Sequence, residues 1–275
     1  MRKILIAFDG DNFSEGVLGF AQQLNEKDPI LLTAAFLPQI DYANLWSYSP
    51  GGQAGAVYIP LMEDEEAKVV KKSIDRFESF CIKNHIEHRV HKDFFDFAVP
   101  GLKKETRYAD VLIISSSTFY KQVGSDAPNE YLKEILHQAE CPVIIVPEKF
   151  DFPNSNILAF DGSESAVYAI KQFAYLFPEL TNNETLLFYI KDNRNDEFPE
   201  EKNIEELAAR HFSNLTLMKF HEDFDRYFST WLMDKKVSVL ISGAYGRSGF
   251  SRVFKKSFVN EIISDHKLPV FIAHK

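Results

Sequence analysis

The sequence has few cysteines and no long apolar segment. Only Cys81 and Cys141 occur among 275 residues, which excludes a disulfide framework and makes a reducing compartment the simpler expectation. No apolar run approaches the roughly 20 residues that a membrane-spanning helix needs. Met1 is followed almost at once by a strand-like segment instead of a secretory signal. We therefore expect a soluble cytoplasmic protein.

Positive charge and the common catalytic motifs are also scarce. The formal net charge of −9 argues against generic binding to nucleic acid or to an anionic membrane. The chain contains no Walker A loop, no Gly-x-Ser-x-Gly elbow and no Cys-x-x-Cys pair. No residue set therefore justifies assigning a catalytic reaction. A slow ATPase would need a metal ligand and a group that positions water, and only Asp161 is a candidate.

What the sequence does contain is an internal repeat. An apolar run that ends in Asp-Gly occurs over residues 4–10 and again over 157–162. Each half also closes alike, with an apolar run that follows Pro142 in the first and Pro269 in the second. An apolar run that ends in Asp-Gly before a helical segment is typical of a strand-to-helix connection. The chain is therefore a duplicated α/β protein.

The two copies differ in length. Asp9 and Asp161 are 152 residues apart, whereas the paired prolines are 127 residues apart, so the first copy is longer by 25 residues. Most of the difference is an irregular arm, Leu37–Leu61, with three prolines and an aromatic cluster. Loops this long are functional or disordered in most proteins. A ligand lid and a surface arm that packs on a neighbouring domain or chain both fit, and its role stays open.

Strand and helix patterns alternate through both copies, which predicts parallel sheets with right-handed crossovers. The predicted fold class is α/β, with two tandem doubly wound domains of five parallel strands each, at residues 1–147 and 154–275. A polar linker over 147–156 joins them. The predicted strands cover 3–8, 30–36, 87–92, 110–115, 142–146, 157–160, 185–190, 214–220, 237–242 and 269–273. The predicted helices cover 14–25, 63–84, 97–107, 128–139, a stretch from about 164 with Ser163 as N-cap, 202–211, 223–234 and 256–266.

The last strand of each half is strongly apolar. An exposed apolar edge strand would favour aggregation, so we expect strands 142–146 and 269–273 to pack on each other. The chain would then be an intrachain pseudo-dimer. The sequence does not indicate whether two chains associate further into a homodimer.

A basic, glycine-containing segment follows the fourth strand of the second copy. Gly243, Gly246 and Gly249 lie between that strand and the next predicted helix, where glycine lets the backbone approach a ligand closely. Residues 242–260 include four basic residues and no acidic one. The helix that begins near Ser257 offers N–H groups to an anion. The segment fits a phosphate, and a glycine-rich connection with solvated basic side chains is the alternative.

The first copy lacks these features. At the positions of the first two glycines and the serine it has Ser116, Phe119 and Glu130. The bulky Phe119 would prevent close backbone approach, and Glu130 at a helix start would repel phosphate. If either copy binds a nucleotide, we expect it to be the second.

Both halves of the chain resemble universal stress proteins, in a tandem two-domain arrangement. The resemblance rests on the repeated strand ending in Asp, the repeated last strand after proline, and the glycine segment. Nucleotide-binding members of that family carry Gly-x2-Gly-x9-Gly-Ser/Thr after the fourth strand. This sequence matches at Gly243, Gly246 and Ser257 and departs at Lys256, where the pattern has glycine.

The resemblance implies a fold, a role and a site. The fold is adenine-nucleotide alpha-hydrolase-like, with Rossmann-type layers. The role is a stress response in which the second domain binds an adenine nucleotide (ATP, ADP or AMP), with or without Mg²⁺, as a sensor or regulator. In ATP-binding members the glycine loop contacts ribose and phosphates, and the ends of strands one and two enclose adenine. The predicted nucleotide-binding residues are Ala159, Phe160, Asp161, Ile190, Gly243, Gly246, Arg247, Lys256, Ser257 and Phe258.

Other patterns carry weaker expectations. His85, His88 and His91 are spaced like metal ligands, but they span a predicted helix end and a strand, so we expect them to be solvated. Asp9 and Asp161 are expected to orient the turns that follow them, not to act as acids or bases. The competing function is a structural or interaction module that binds unidentified protein partners and in which both nucleotide sites are vestigial. Many members of the family lack nucleotide binding, and Lys256 favours this alternative.

Substitution of Lys256 distinguishes the two candidate functions by experiment. If its ammonium binds phosphate, Lys256→Ala weakens ATP binding by about tenfold or more, because a hydrogen bond to a charged group contributes roughly 1.5–3 kcal/mol. AMP binding falls less, since AMP lacks the distal phosphates. If Lys256 blocks the site, Lys256→Gly creates or tightens binding. Calorimetric titration of both variants distinguishes the cases: tighter ATP binding by both rejects the phosphate-ligand role, and no heat from wild type or either variant favours the interaction module.

Overall fold

The computed structural model describes residues 1–8, 13–36, 64–91, 98–116, 130–190, 200–220, 231, 235, 237–243 and 268–273. The strands are β1 (Arg2–Phe8), β2 (Ile30–Phe36), β3 (Glu87–His91), β4 (Val111–Ser115), β5 (Val143–Val146), β6 (Ser155–Ala159), β7 (Glu184–Ile190), β8 (Asn214–Phe220), β9 (Ser238–Ser242) and β10 (Val270–Ile272). The helices are α1 (Glu15–Lys27), α2 (Asp64–Lys83), α3 (Ala98–Thr106), α4 (Glu130–Gln138), α5 (Glu164–Leu176) and α6 (Glu201–His211), with a 3₁₀ turn at Pro178–Leu180.

The predicted elements within these residues are confirmed, with ends displaced by one or two residues. One boundary in the linker was wrong: β6 begins at Ser155, so the linker ends before it. The polar pair Ser155 and Asn156 belongs to the strand because Asn156 is buried and its amide donates to the Leu180 carbonyl and the Thr185 hydroxyl, both at 2.9 Å. The arm over 37–61 and the predicted helices over 223–234 and 256–266 lie outside the described residues, apart from Trp231.

The strands form one ten-stranded sheet in the order β3-β2-β1-β4-β5-β10-β9-β6-β7-β8. Within each half all five strands are parallel, as predicted, and both halves have the same order. The halves meet where β5 pairs with β10 in antiparallel register, with Ile144 opposite Phe271. The predicted packing through the last strands is therefore confirmed. This antiparallel pair relates the halves by an approximate two-fold axis.

The sheet buries apolar side chains on both faces, as expected for parallel strands covered by helices on each side. Residues alternate between the faces along each strand, so Ile4 and Leu5 contribute to different clusters. On the first face, α1, α2, α5 and α6 cover the sheet, and on the second face α3 and α4 do so. Each cluster includes side chains from both halves, so the two halves share their cores across the β5–β10 junction.

The same N-cap opens the first helix of each half. The Ser14 hydroxyl accepts a hydrogen bond from the Val17 N–H, and the Ser163 hydroxyl accepts one from the Ala166 N–H, both at 3.1 Å. A serine at this position satisfies one of the N–H groups that a helix leaves unpaired at its start. The predicted role of Ser163 is therefore confirmed, and the repeat extends to the helix start.

The two cysteines are free. Burial raises the pKa of the Cys81 and Cys141 thiols to about 12, so both are protonated near neutral pH. None of the helices in the described part of the chain combines the length and apolar character required to cross a bilayer.

Truncation of Phe271 tests the shared core. Its ring lies on β10 with no exposed surface and meets the edges of Phe173 at 5.4 Å and Phe177 at 6.1 Å between ring centroids. Phe271→Ala should lower the free energy of unfolding by about 3–5 kcal/mol, because it removes buried area and leaves a cavity. Tyr175→Ala is the control, since that ring is 57% exposed and its loss should change stability by only about 0.5 kcal/mol. Urea denaturation measures both, and equal losses would contradict the assignment of Phe271 to the core.

Candidate functional site

The candidate site lies where the strand order of the second half reverses. In the order β8-β7-β6-β9-β10, the chain leaves β6 toward one edge of the sheet, and the later strands β9 and β10 lie on the other side of it. In open α/β sheets, ligands bind outside the carboxyl ends of the strands at such a reversal. Asp161 and Gly243 each follow one of the two strands that meet there.

Asp161 shapes the turn between β6 and α5. One of its carboxylate oxygens accepts the Ser163 N–H at 2.9 Å. Gly162 between them has a φ of 82°, a left-handed conformation that favours glycine. The predicted role of Asp161 in orienting the turn is therefore confirmed. The turn directs the chain into α5, whose N-terminus faces the end of β9.

Gly243 lies directly against the start of α5. A β-carbon built at this position would be 2.5 Å from the Ala166 nitrogen and 2.7 Å from the Ser165 carbonyl carbon. Both atoms belong to the helix backbone, so neither can move aside cheaply. Glycine is therefore required here by packing, whatever the ligand. The same contact brings the end of β9 and the N-terminus of α5, with its partial positive charge, to one place.

Three other predicted site residues lie at the ends of β6 and β7. Ala159 is the last residue of β6 and is buried, and Phe160 is only 1% exposed with its ring in the first-face cluster. The Phe160 N–H donates to the Phe188 carbonyl at 3.1 Å. Ile190 is the last residue of β7, beside β6. The sequence did not indicate that the ring of Phe160 would point into the core.

The structure thus brings five predicted residues to one edge of the sheet: Ala159, Phe160, Asp161, Ile190 and Gly243. The other five lie outside the described residues: Gly246, Arg247, Lys256, Ser257 and Phe258. Their place in the site remains a prediction.

In the first half, a side chain of the protein itself lies at the equivalent helix start. One Glu148 carboxylate oxygen accepts the Gly16 N–H at 3.1 Å, and the other accepts the Ser115 hydroxyl at 2.8 Å. Gly16 permits this approach, because a β-carbon there would lie 2.4 Å from the Pro147 carbonyl oxygen. The first half therefore places a carboxylate at the N-terminus of α1.

Sequence reasoning missed Glu148. A signal was present, because the 127-residue offset pairs Glu148 with Lys275, a reversal of charge between the copies. The Ser115 hydroxyl donates to Glu148, whereas the equivalent Ser242 hydroxyl donates to the Gly243 carbonyl at 3.3 Å. The offset alone did not show that residue 148 would meet α1.

Aromatic rings fill the carboxyl ends of β1 and β2 in the first half. Phe8 stacks on Phe13 and on Phe36, each at 5.1 Å between ring centroids. The Arg76 guanidinium lies 4.3 Å from the centre of the Phe13 ring and also pairs with Glu15. This cluster occupies the region that corresponds to the ends of β6 and β7 in the second half.

The three histidines do not converge. His88 and His91 pair with residues of β2 that belong to opposite faces of the sheet, Leu32 and Ala35. His91 is not simply solvated, since its Nδ1 lies 2.7 Å from a Glu105 carboxylate oxygen. Within the described ranges no group of three or more His, Cys, Asp and Glu side chains is arranged to hold a metal ion.

Comparisons with known proteins agree with the fold. No protein-family model matches this sequence, and no curated protein matches it. A universal stress protein from Archaeoglobus fulgidus DSM 4304 superposes with a TM-score of 0.71 at 14% identity, over 100% of this chain and 96% of that chain. A protein of Pseudomonas aeruginosa UCBPP-PA14, provisionally assigned to the same family, gives a TM-score of 0.55 at 13% identity, over 99% and 93% of the two chains. The chain therefore has the fold of a tandem universal stress protein, as the resemblance implied.

Substitution of Gly243 tests the contact between β9 and α5. Gly243→Ala should lower the free energy of unfolding by about 1–3 kcal/mol, because the new methyl group overlaps the helix backbone. Gly19→Ala is the matched control, since that glycine lies inside α1 with nothing within 4 Å of the added β-carbon. The control should gain roughly 0.5–1 kcal/mol from helix propensity. Chemical denaturation of both variants measures the difference, and a Gly243→Ala variant as stable as wild type would refute the packing.

Proposed function

We propose that this chain is a stress-response protein whose second half binds one adenine nucleotide in a sensory or regulatory role. The observation that carries the proposal is the place of Gly243, at the strand-order reversal and at the start of the Gly-x2-Gly-x9-x-Ser pattern. We also propose that the chain divides into domains at residues 1–147 and 154–275, with the nucleotide in the second.

Charge supports a phosphate ligand at this edge. The segment after Gly243 carries Arg247 and Lys256 and has no acidic residue up to Asn260, in a chain of net charge −9. Asp161 and Glu164 are the acidic residues of the turn into α5 and of its first helical turn, and one Asp161 oxygen already accepts the Ser163 N–H. Basic side chains beside a helix N-terminus favour an anion, and ATP offers the largest charge of the three nucleotides. Mg²⁺, where present, would be held mainly by phosphate oxygens.

Features of the first half support the proposal that each chain has a single nucleotide site. Glu148 places a carboxylate on the N-terminus of α1, where a phosphate would otherwise meet the free N–H groups. A second anion beside it would be repelled. Two sequence features, the bulky Phe119 and the acidic Glu130, disfavour a nucleotide for independent reasons. With Glu148, three features of the first half therefore disfavour nucleotide binding.

The interaction module remains the second candidate function, because packing alone explains the glycine at position 243. Its contact with Ser165 and Ala166 requires glycine even without a ligand. A vestigial site would therefore keep Gly243 for packing alone, and Lys256 would be free to replace the glycine of the family pattern. In that case the chain acts through protein partners. No catalytic reaction is proposed.

Exchange of one residue between the copies tests the proposal. Gly246→Phe introduces the residue that the first copy has at this position and should abolish nucleotide binding by closing the approach to the backbone. Phe119→Gly makes the reverse change in the first half and should leave binding unchanged, because Glu148 still occupies the helix start. Calorimetry with ATP, ADP and AMP, with and without Mg²⁺, should give about one nucleotide per wild-type chain. At 100 times the dissociation constant, the nucleotide should stabilise the protein by about 2.7 kcal/mol.

Each other outcome has a definite meaning. Two nucleotides per chain would contradict the single site. Binding that survives Gly246→Phe and is tightened by Phe119→Gly would place the nucleotide in the first half. No heat and no thermal shift with any of the three nucleotides would favour the interaction module.

A further inference from the structure

Arg2 reaches from the first strand of the sheet into the opposite half. Its guanidinium donates to the Leu176 carbonyl and to a Glu179 carboxylate oxygen, both at 2.6 Å, and to Asp28 at 3.1 Å. Leu176 and Glu179 are 174 and 177 residues away in the sequence and belong to the second half. We call these four residues the Arg2 cluster. It joins the start of β1, the end of α1 and the end of α5.

The Arg2 cluster is largely removed from solvent. The side chains of Arg2 and Glu179 are 10% and 15% exposed, whereas that of Asp28 is 53% exposed. The guanidinium also lies 5.2 Å from the centre of the fully buried Phe177 ring. Asp28 is thus the solvent-exposed member of the cluster, and Glu179 is the buried partner of Arg2. Removing one member of a buried ion pair leaves an uncompensated charge, which costs more than an exposed pair contributes.

The approximate two-fold axis generates a second contact of the same kind with different chemistry. There the end of α1 faces the segment before β6, as the end of α5 faces Arg2. Phe152 packs on Phe20 at 5.2 Å between ring centroids, and the Lys27 ammonium lies 5.4 Å from the centre of the Phe152 ring. Phe150 packs on Phe20 as well. One end of the junction is therefore aromatic and the other is ionic.

Both contacts act on helices that cover the junction strands. The α1 and α5 side chains share the first-face cluster with Ile144 and Phe271 of β5 and β10. The sheet itself is joined there by only three residue pairs. Arg2 holds the last turn of α5 through a carbonyl, Leu176, that the helix leaves without an intrahelical partner. Its guanidinium offers five N–H donors in a rigid planar fork, whereas a lysine ammonium offers three at the end of a flexible stem.

We propose that Arg2 is a lock between the two halves. It holds the end of α5 against the first half, so that local opening at the end of α5 is coupled to local opening at the end of α1. Opening of the lock frees α5 and the 3₁₀ turn at Pro178–Leu180 on one side and the end of α1 on the other. The proposal is independent of any nucleotide.

Hydrogen exchange measured by mass spectrometry on the full chain tests the lock. The reporters are the Phe177 N–H, which donates to Phe173, and the Leu180 N–H, which donates to Phe177. Arg2→Met should make peptides over residues 173–181 exchange at least tenfold faster, together with those over 24–30. Arg2→Lys should give a smaller increase. Arg107→Met is the matched control, since Arg107 pairs with Glu140 within the first half and should leave 173–181 unchanged.

A double-mutant cycle separates the lock from a general loss of stability. Arg2→Met leaves the Glu179 carboxylate buried without its partner, whereas Glu179→Gln removes that charge. The change that Arg2→Met makes in the unfolding equilibrium constant should therefore be at least fivefold smaller in the Glu179→Gln background. Exchange that rises only over 1–8 and 24–30, or rises over 173–181 equally in Arg107→Met, would overturn the proposal. If Arg2→Met does not fold, Arg2→Lys takes its place in both measurements, with the same outcomes deciding.

Discussion

The antiparallel pairing of β5 with β10 is the interaction on which the rest of the molecule depends. Three residue pairs join two five-stranded parallel sheets into one sheet of ten strands. Each of the two strands would otherwise be an apolar edge, open to pairing with another chain. Their union removes both edges and creates the approximate two-fold axis. The shared clusters on the two faces follow, because helices beside the axis can contact strands of both halves.

The two-fold axis constrains what each half must supply at the junction. The helix that follows the first strand, α1 or α5, ends beside the start of the other half. Duplication alone would give both ends the same contact. The chain instead has the Arg2 cluster at one end and the Phe150, Phe152 and Phe20 rings at the other. A single continuous chain permits this difference, since each copy changes independently once the two are linked.

The copies differ in the same way at their carboxyl edges. In both halves a helix N-terminus meets the end of a later strand through a glycine, Gly16 in the first and Gly243 in the second. In the first half this approach brings Glu148 onto the helix N–H groups. In the second, the Asp161 carboxylate accepts the Ser163 N–H, and the sequence that follows Gly243 is rich in basic residues. The two copies therefore differ in what the chain supplies after equivalent elements, and our functional proposal rests on that difference.

Local sequence determined most of the elements, and the repeat determined their arrangement. Apolar runs with β-branched residues form strands wherever they are buried on both faces, so the alternation of strands and helices and the parallel halves were predictable. The junction was predictable because an apolar edge has to be covered. Asp161 and Ser163 acted as expected, since a turn and an N-cap involve only near neighbours. Only the tertiary structure decided the contacts between distant segments: Arg2 with Leu176, Glu148 with Gly16, and the burial of the Phe160 ring. Those contacts depend on which strand ends and helix ends the two-fold axis brings together, and no local pattern in the sequence encodes that geometry.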